Sequence, residues 1–280
     1  LNQNHLDRIN QLLKTYPSLM DAYHKLEPFV LGLFEAERMS IFQRRRQHQD
    51  LVARFKTGKE TREIKVPISP MSIAGYVALS QLPLSIKDPY NVEELAQIHK
   101  RLKFADKFDK DSTFKTRNII CIPILDSGVL MGVMQIINKK DASFTDSDLA
   151  LANAIAEIMG KKFRYELGGT SQPFDYLIHR NLISDKELKK LQESSHDGRQ
   201  LVQRLISEHR VPEDDLGNAL SVHFQVPYIA YLPDKYHLFQ SDSKLNLSYL
   251  KRNFVAVLAD VNDMPIVLMT EPKNATLLME

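Results

Sequence analysis

The clearest hydrophobic pattern lies between residues 116 and 148, where two long apolar runs flank a short polar turn. In the run 119–125 both alternating sets of positions are apolar, which predicts a strand buried on both faces of a sheet. Asp126-Ser127-Gly128 predicts a tight turn, and residues 129–137 predict the strand that returns from it. Gly132 within that strand predicts a close backbone approach or a bulge.

The residues before this hairpin predict further helices and strands. Apolar residues at helical spacing over 6–33 predict two helices, separated at Pro17 and with Ser18 as the cap of the second. Alternation of apolar and polar residues predicts strands at 38–46, 51–55 and 64–68. The last of these is predicted at a sheet edge because it contains a proline. Helices are predicted at 72–80, 92–102 and 145–165, and a Thr145–Asp148 capping pair begins the last of them. The charged residues 103–115 predict a loop.

This region resembles the GAF domain, a small-molecule-sensing fold of cyclic-nucleotide phosphodiesterases and many bacterial signalling proteins. The resemblance is carried by TRNIICIPI, by GVMQIINK, and by Asn138-Lys139 followed by Phe144 and Asp148. It covers residues 1–167 with the flanking helices, and implies an antiparallel sheet with a ligand pocket beneath the loop 103–115. Helices that flank such a sheet often pair with their copies, so a homodimer is expected, although they could also cover only their own sheet.

A linker and a second domain follow the GAF-like region. The segment 168–172 is rich in glycine and polar residues, which predicts a domain boundary. Two imperfect copies of a helix-turn-helix unit begin at Leu177 and Leu205. The residues after them predict a helix near 245–251, strands at 254–258 and 265–270, and a further helix that starts at 271–274. Residues 173–280 resemble the N-terminal domain of type II secretion and type IV pilus assembly ATPases, through this doubled unit and the closing VLMTEPKNATLL. We therefore expect a mixed α+β protein, with an antiparallel-sheet GAF domain before a smaller α/β domain that holds two helical repeats and a short sheet.

The GAF resemblance also implies where a ligand would bind. The helix that begins after Ser72 offers its N-terminus to a phosphate or carboxylate, and the central strand starts at Thr116 and Arg117. The implied pocket residues are Ser72, Ile73, Ala74, Asp88, Tyr90, Thr116, Arg117, Asn138, Lys139 and Asp148. For the last three, a structural role that ties a loop to a helix is favoured over ligand contact. A cyclic nucleotide is the candidate ligand, and no cofactor is otherwise expected.

Composition and motifs exclude several other functions. A net charge of +2 gives no electrostatic reason to expect nucleic-acid or membrane binding, and no apolar run could span a bilayer. The single cysteine, Cys121, allows no intramolecular disulfide, which fits a reducing cytoplasm, and a buried inert thiol is favoured there. The histidines show no metal-binding spacing, and no catalytic constellation or phosphate-binding loop occurs. We therefore expect a non-enzymatic protein, without a metal and located in the cytoplasm.

The second resemblance leaves three readings open. The first is a GAF sensor or dimerisation module coupled to a domain that docks on pilus, secretion or motility regulatory proteins. The second is a cyclic di-GMP receptor. Against it, the Arg-Leu-Gly triplets that bind this dinucleotide in the pilus ATPases fall on Gln172-Pro173-Phe174 and Gln200-Leu201-Val202. The third is the regulatory front end of a longer secretion ATPase, since the chain begins at Leu1 and is expected to be a piece of a longer one.

Overall fold

The computed structural model divides the chain into two compact units, Leu1–Gly169 and Thr170–Glu280. The residues that it describes are 3–16, 18–45, 49–56, 64–106, 109, 114–140, 143–226, 228–230, 232, 234–239, 247–252, 255–259 and 265–269. Predictions on Pro17, on Arg46 and on a helix after residue 270 lie outside these residues. The predicted mixed α+β fold class is confirmed.

The first unit is built on a six-stranded antiparallel sheet in the order β3-β2-β1-β6-β5-β4. Its strands are β1 Ala36–Arg44, β2 Asp50–Lys56, β3 Ile64–Pro67, β4 Leu84–Ile86, β5 Ile119–Asp126 and β6 Val129–Lys139. Its helices are α1 Gln3–Thr15, α2 Leu19–Phe34, α3 Ile73–Ser80, α4 Val92–Ile98, α5 Asp146–Lys162 and α6 Arg164–Gly168. As predicted, β5 is interior and buried on both faces, and β3, which contains Pro67, is an edge strand.

Local sequence explains how these elements begin and turn. Ser18 and Ser72 cap α2 and α3, and Thr145 with Asp148 forms a complete capping box on α5. The β5–β6 turn narrows to Ser127 and Gly128, both with positive φ (49° and 77°), as a two-residue hairpin with right-handed strand twist requires. At Gly132 a Cβ atom would lie 2.3 Å from the Phe42 carbonyl oxygen, so the predicted close approach is present.

Two predicted helices are shorter in the structure. The helix expected over 92–102 ends at Ile98, because His99 adopts an extended conformation (φ −159°). The closing helix expected over 145–165 is interrupted at Phe163, which is buried with the core and separates α5 from α6.

The sheet separates two different interiors. On the helix face, Met39 and Ile41 of β1 and Met134 and Ile136 of β6 pack with Ile120, Ile122 and Ile124 of β5 beneath α1, α2 and α5. This side of the sheet is the helix face. The opposite side is the cavity face, and it carries Arg38, Ser40, Phe42, Gln135 and Ile137. Alternation along each strand assigns neighbouring residues to opposite faces. The cavity face is covered in part by α3 and α4.

The second unit contains α7 Asp175–His179, α8 Asp185–Ser194, α9 Gly198–Ser207, α10 Glu213–Phe224 and α11 Leu247–Arg252. Its strands form an antiparallel sheet in the order β7-β8-β9, with bounds His237–Leu238, Val255–Ala259 and Pro265–Met269. The helix predicted near 245–251 and the strands predicted at 254–258 and 265–270 correspond to α11, β8 and β9.

The two copies of the doubled sequence unit close turns that differ by one residue in length. After Leu177 the chain closes a turn with a 3.0 Å hydrogen bond from Leu182 N to Leu177 O, and after Leu205 with one of the same length from Val211 N to Leu205 O. Leu177 and Leu205 are both fully buried. A capping box at Ser184 begins α8, whereas Pro212 and three acidic residues begin α10. None of the helices in the described parts of either unit combines the length and apolar character that a membrane span requires.

Candidate ligand-binding site

A cavity of about 130 Å³ lies on the cavity face of the first unit. Antiparallel register places its floor residues in rows across the sheet: Arg38 opposite Ile137, Ser40 opposite Gln135, and Phe42 opposite Val133. Because side chains two residues apart share a face, β1 and β6 together present one patch of floor with three polar side chains. The described lining is Arg38, Ser40, Phe42, Ile64, Val66, Ser72, Ile73, Ala74, Phe104, Ala105, Asp109, Phe114, Thr116, Gln135 and Ile137.

Two floor side chains face the cavity without a partner among the described residues. Neither the Ser40 hydroxyl nor the Gln135 side-chain amide makes a hydrogen bond to any residue that the structure describes, although both residues are half-buried. A serine hydroxyl and a glutamine amide together present donors and acceptors side by side. Polar groups at such depth are normally satisfied by protein, water or ligand. This pair is therefore equipped to bind a molecule that enters the cavity.

Arg38 provides positive charge at the same floor. Its guanidinium carbon lies 3.5 Å from the centroid of the Phe114 ring, which is a stacked cation–π contact. A guanidinium stacked in this way keeps its N–H edge in its own plane, where it can bind an acceptor. Phe114 therefore holds the orientation of the arginine at the cavity wall.

Asp109 ties the loop before β5 to two other segments. Its Oδ2 accepts hydrogen bonds from the Tyr90 hydroxyl (2.7 Å) and the Thr116 amide (2.6 Å), and its Oδ1 accepts one from Thr116 Oγ1 (3.0 Å). Partial desolvation, the hydrogen bond to Asp109 and the charges of nearby carboxylates raise the pKa of Tyr90 to about 12. Tyr90 is thus a neutral donor to Asp109 at physiological pH.

The N-terminus of α3 forms another wall of the cavity through Ser72, Ile73 and Ala74. Ser72 Oγ accepts a 3.1 Å hydrogen bond from the Gly75 amide, so its hydroxyl caps the helix. The serine is thus occupied with its own helix, whereas the apolar Ile73 and Ala74 give the wall its shape.

Asn138 is the centre of a hydrogen-bond cluster beside the cavity. It is fully buried with a left-handed φ of 62°. Its Oδ1 accepts from the Arg117 amide at 2.6 Å, and its Nδ2 donates to Glu37 Oε2 at 2.9 Å and Lys115 O at 2.8 Å. Glu37 also pairs with Arg117 at 2.7 Å. Burial would raise the pKa of Glu37, but the bonds from Arg117 and Asn138 outweigh it and lower that pKa.

Lys139 and Asp148 connect the end of β6 to the start of α5. Lys139 Nζ lies 2.9 and 2.7 Å from the two Asp148 oxygens, and Asp148 also accepts from the Thr145 amide at 2.7 Å. Both side chains are mostly buried, with 15% and 12% exposed. Burial alone would raise the pKa of Asp148, but the bonds from Lys139 and Thr145 lower it overall.

The sequence-predicted positions fall into two groups. Ser72, Ile73, Ala74 and Thr116 line the cavity. The other six are absent from the described lining, namely Asp88, Tyr90, Arg117, Asn138, Lys139 and Asp148. Tyr90 bonds to the lining residue Asp109, and Asp88 Oδ1 accepts from the Tyr90 amide at 2.9 Å.

Sequence reasoning missed four polar lining residues: Arg38, Ser40, Asp109 and Gln135. The alternation that predicted β1 and β6 also fixes which residues share a face, so Arg38, Ser40 and Gln135 were visible as polar residues on strands with apolar neighbours. Asp109 stands in a charged loop whose sequence does not distinguish it from neighbouring acids.

Cys121 is fully buried beside Gln135 in the sheet register, and burial raises the pKa of its thiol. Within the described ranges, no group of three or more histidine, cysteine or carboxylate side chains is arranged to hold a metal ion.

A family model described as GAF domain matches residues 29–162. Residues 29–162 form a GAF domain. The expectation drawn from TRNIICIPI and from Asn138-Lys139 is thereby confirmed. A GAF domain is a ligand-sensing and regulatory module.

Two curated relatives carry cyclic phosphodiesterase names. The chain is 32% identical over 136 residues to the probable 3',5'-cyclic phosphodiesterase pde-5 of Caenorhabditis elegans, covering 44% of this chain. It is 30% identical over 139 residues to the dual 3',5'-cyclic-AMP and -GMP phosphodiesterase 11A of Takifugu rubripes, covering 45% of this chain. The matched parts are 17% and 14% of the lengths of these relatives.

Among solved structures, the GAF domain of a phosphoenolpyruvate-protein phosphotransferase from Coxiella burnetii is similar, with 16% identity and a TM-score of 0.49. The match covers 65% of this chain and 96% of that one.

Proposed function

We propose that this chain is a non-enzymatic regulatory protein whose GAF domain senses a small organic molecule bound in the cavity of the first unit. The observation that carries the proposal is the cavity floor, where Ser40 and Gln135 are oriented toward open space with no partner among the described residues. An interior that existed only for stability would pair or replace such polar groups.

Cyclic nucleotides are the first candidate ligands for this site. Two relatives are named as cyclic phosphodiesterases, and over the matched region they are 32% and 30% identical to this chain. A ligand that binds the cavity would contact β1, β6 and the start of α3 together. It would therefore favour one arrangement of these elements over others, which is the physical basis of a sensor.

Hydrogen bonds link β1, which forms part of the cavity floor, to the C-terminal end of the GAF unit. Gln43, next to the lining residue Phe42, donates a 2.6 Å hydrogen bond to Glu166 O in α6. Glu166 Oε2 accepts from the Leu19 amide at the start of α2 (2.5 Å). These contacts join the floor strand, a flanking helix and the segment that leads to residue 170. They support a regulatory output at the C-terminal end of the unit.

For the second unit we propose a protein-docking role in pilus, secretion or motility regulation, in the cytoplasm, with the GAF flanking helices pairing two copies of the chain. Its support is the doubled unit, in which a hydrogen-bonded turn follows each of the buried Leu177 and Leu205, in a region whose sequence resembles the docking domain of pilus ATPases. Light scattering of the purified chain tests the dimer. A monomer at all concentrations contradicts the pairing of two copies.

The sensor proposal is tested by thermal unfolding with cyclic AMP, cyclic GMP, cyclic di-GMP, ATP and the small cyclic amide 2-pyrrolidinone. Ala74→Leu fills part of the cavity, and Ala96→Leu makes the same change on the exposed side of α4 as a matched control. We expect at least one compound to raise the melting temperature of the wild type and of Ala96→Leu but not of Ala74→Leu. Equal stabilisation of both variants, or none by any compound, contradicts the proposal.

A further inference from the structure

We propose that the cavity binds a small neutral amide, such as a lactam, whose N–H and C=O pair with the side-chain amide of Gln135 and whose oxygen also accepts a hydrogen bond from Ser40 Oγ. The inference rests on the proposed sensor function, and it names the class of ligand for the same site. It assigns to Ser40 and Gln135 the role of setting ligand preference.

The volume of the cavity limits the ligand to one small group. An engineered cavity of about 150 Å³, lined by leucine, isoleucine and phenylalanine, holds one benzene molecule. At about 130 Å³ the cavity of the first unit is slightly smaller, so a ligand inside it has at most about six non-hydrogen atoms. A nucleotide is larger than this, and so is a purine base alone. Neither is enclosed by a cavity of this volume.

The charged side chains of the lining favour a neutral ligand. Among the described lining residues Arg38 is the basic side chain and Asp109 the acidic one, so their formal charges cancel. Asp109 accepts three hydrogen bonds from Tyr90 and Thr116. Arg38 stacks on Phe114 and has a further interaction within the protein. A charged ligand would lose its hydration beside charges that the protein already uses, and this loss is costly without a free counter-charge.

The uncharged polar groups of the lining are either occupied or available. Ser72 Oγ caps the start of α3, and Thr116 Oγ1 donates to Asp109. The Ser40 hydroxyl and the Gln135 side-chain amide have no hydrogen-bond partner among the described residues. The uncharged polar side chains available to a ligand are therefore one hydroxyl and one carboxamide.

The sheet register places these two groups side by side. Ser40 of β1 pairs directly with Gln135 of β6, and both line the cavity. A carboxamide presents a donor and an acceptor in one plane, which complements the N–H and C=O edge of a lactam. The adjacent serine hydroxyl can donate to the second lone pair of the lactam oxygen. Phe42 and Ile137, each two residues further along the same strands, supply apolar contacts for the ring carbons.

Four probes separate the features of the proposed ligand. The lactam 2-pyrrolidinone has as many non-hydrogen atoms as benzene, and cyclopentanone has the same size and a carbonyl but no N–H. Propionamide and propionate share one shape and differ in charge. Since cyclopentanone lacks one hydrogen bond, we expect 2-pyrrolidinone to bind about tenfold more tightly. Propionamide should exceed propionate by about the same factor, because only propionate loses the hydration of a charge.

Binding is measured by NMR titration of the whole chain, with the methyl signals of the lining residues Ile64, Ile73 and Ile137 as the readout. The probes are added up to the millimolar range, because a ligand of so few atoms has a limited total binding energy. Saturable shifts of these signals give the affinity of each probe.

Two variants assign the selectivity to residues. Gln135→Leu removes the amide and should abolish the preference for 2-pyrrolidinone over cyclopentanone, whereas Ser40→Ala should weaken both probes alike and keep the preference. Gln97→Leu makes the glutamine change at an exposed position of α4 outside the lining, and it should bind as the wild type does. Melting temperatures without ligand identify a variant that fails to fold, and the other variant then decides the assignment.

Cyclic GMP, titrated in the same way, separates this inference from the sensor proposal. If cyclic GMP binds more tightly than 2-pyrrolidinone, the small-amide inference is overturned while the sensor proposal stands. Equal binding of 2-pyrrolidinone and cyclopentanone, or of propionamide and propionate, also overturns it. A preference for the lactam that survives in Gln135→Leu overturns the assignment of that residue. If neither cyclic GMP nor any of the four probes shifts the cavity signals, both proposals are contradicted.

Discussion

The two faces of the six-stranded sheet are covered in different ways. The helix face is completed by α1, α2 and α5 with apolar side chains, and Ile122, Ile136 and Met134 are each fully buried. The cavity face uses the same strands but places Arg38, Ser40 and Gln135 beside an open volume. A single register shift would exchange the two sets, so the alternation of β1 and β6 fixes both stability and site. The comparison indicates that the helix face serves stability alone, whereas the cavity face combines an apolar core with the proposed ligand site.

The largest effect is expected on the helix face. Ile136→Ala removes a fully buried side chain from a dry core and should lower the free energy of unfolding by about 4 kcal/mol. Chemical denaturation measures this change. A loss well under about 1 kcal/mol would contradict the stabilising role that the comparison assigns to the helix face.

The Asn138 cluster lies at the end of β6, and its loss should have the second-largest effect. Asn138→Ala removes the side-chain hydrogen bonds to Arg117, Glu37 and Lys115 and leaves an alanine, which tolerates a left-handed φ of 62° less well than asparagine does, for a loss of about 3 kcal/mol. Asn138→Gly removes the same hydrogen bonds without the backbone strain and should be about 1 kcal/mol less damaging. Equal unfolding free energies for the two variants would assign the whole effect to the amide.

The Lys139–Asp148 pair gives a pH-dependent test. The folded-state pKa of Asp148 lies below its ordinary value of 3.8, so the stabilisation is fully present above that value. It is lost as the pH falls through the lowered folded-state pKa. Asp148→Asn should therefore cost about 2 kcal/mol at neutral pH and progressively less in acid. Melting temperatures of both proteins against pH check this, and a difference that stays constant into acid would contradict the assignment.

The smallest effect on stability is expected at the cavity floor. Gln135→Leu removes an amide that has no hydrogen-bond partner among the described residues, so the free energy of unfolding should change by no more than about 0.5 kcal/mol. The same denaturation experiment that measures Ile136→Ala provides the value. A large loss would show that Gln135 is a structural residue and would remove it from the proposed site.

The sequence was sufficient for features with local causes. Ser18, Ser72 and Thr145 mark helix starts, because each side chain accepts a hydrogen bond from the amide three positions further on. The two-sided apolar run 119–125 indicated a covered interior strand without knowledge of its neighbours. These signals depend on chemistry within a few residues.

The cavity floor depended on relations that local sequence does not contain. Ser40 and Gln135 are neighbours only because β1 pairs with β6, although 95 positions separate them in the chain. The role of Asp109 depends on Tyr90 and Thr116 meeting it in space. Family resemblance supplied Asn138, Lys139 and Asp148, but the structure places their side chains in contacts with the protein itself.

The most direct test of the two-face account is an NMR titration of the chain with its isoleucine methyl groups labelled, using 2-pyrrolidinone and cyclic GMP as probes. Ile64, Ile73 and Ile137 line the cavity, whereas Ile122, Ile136 and Ile155 belong to the helix face. The account predicts saturable shifts of the first three methyl signals and little change in the second three. Shifts concentrated on the helix face, or no shifts with either probe, would contradict it.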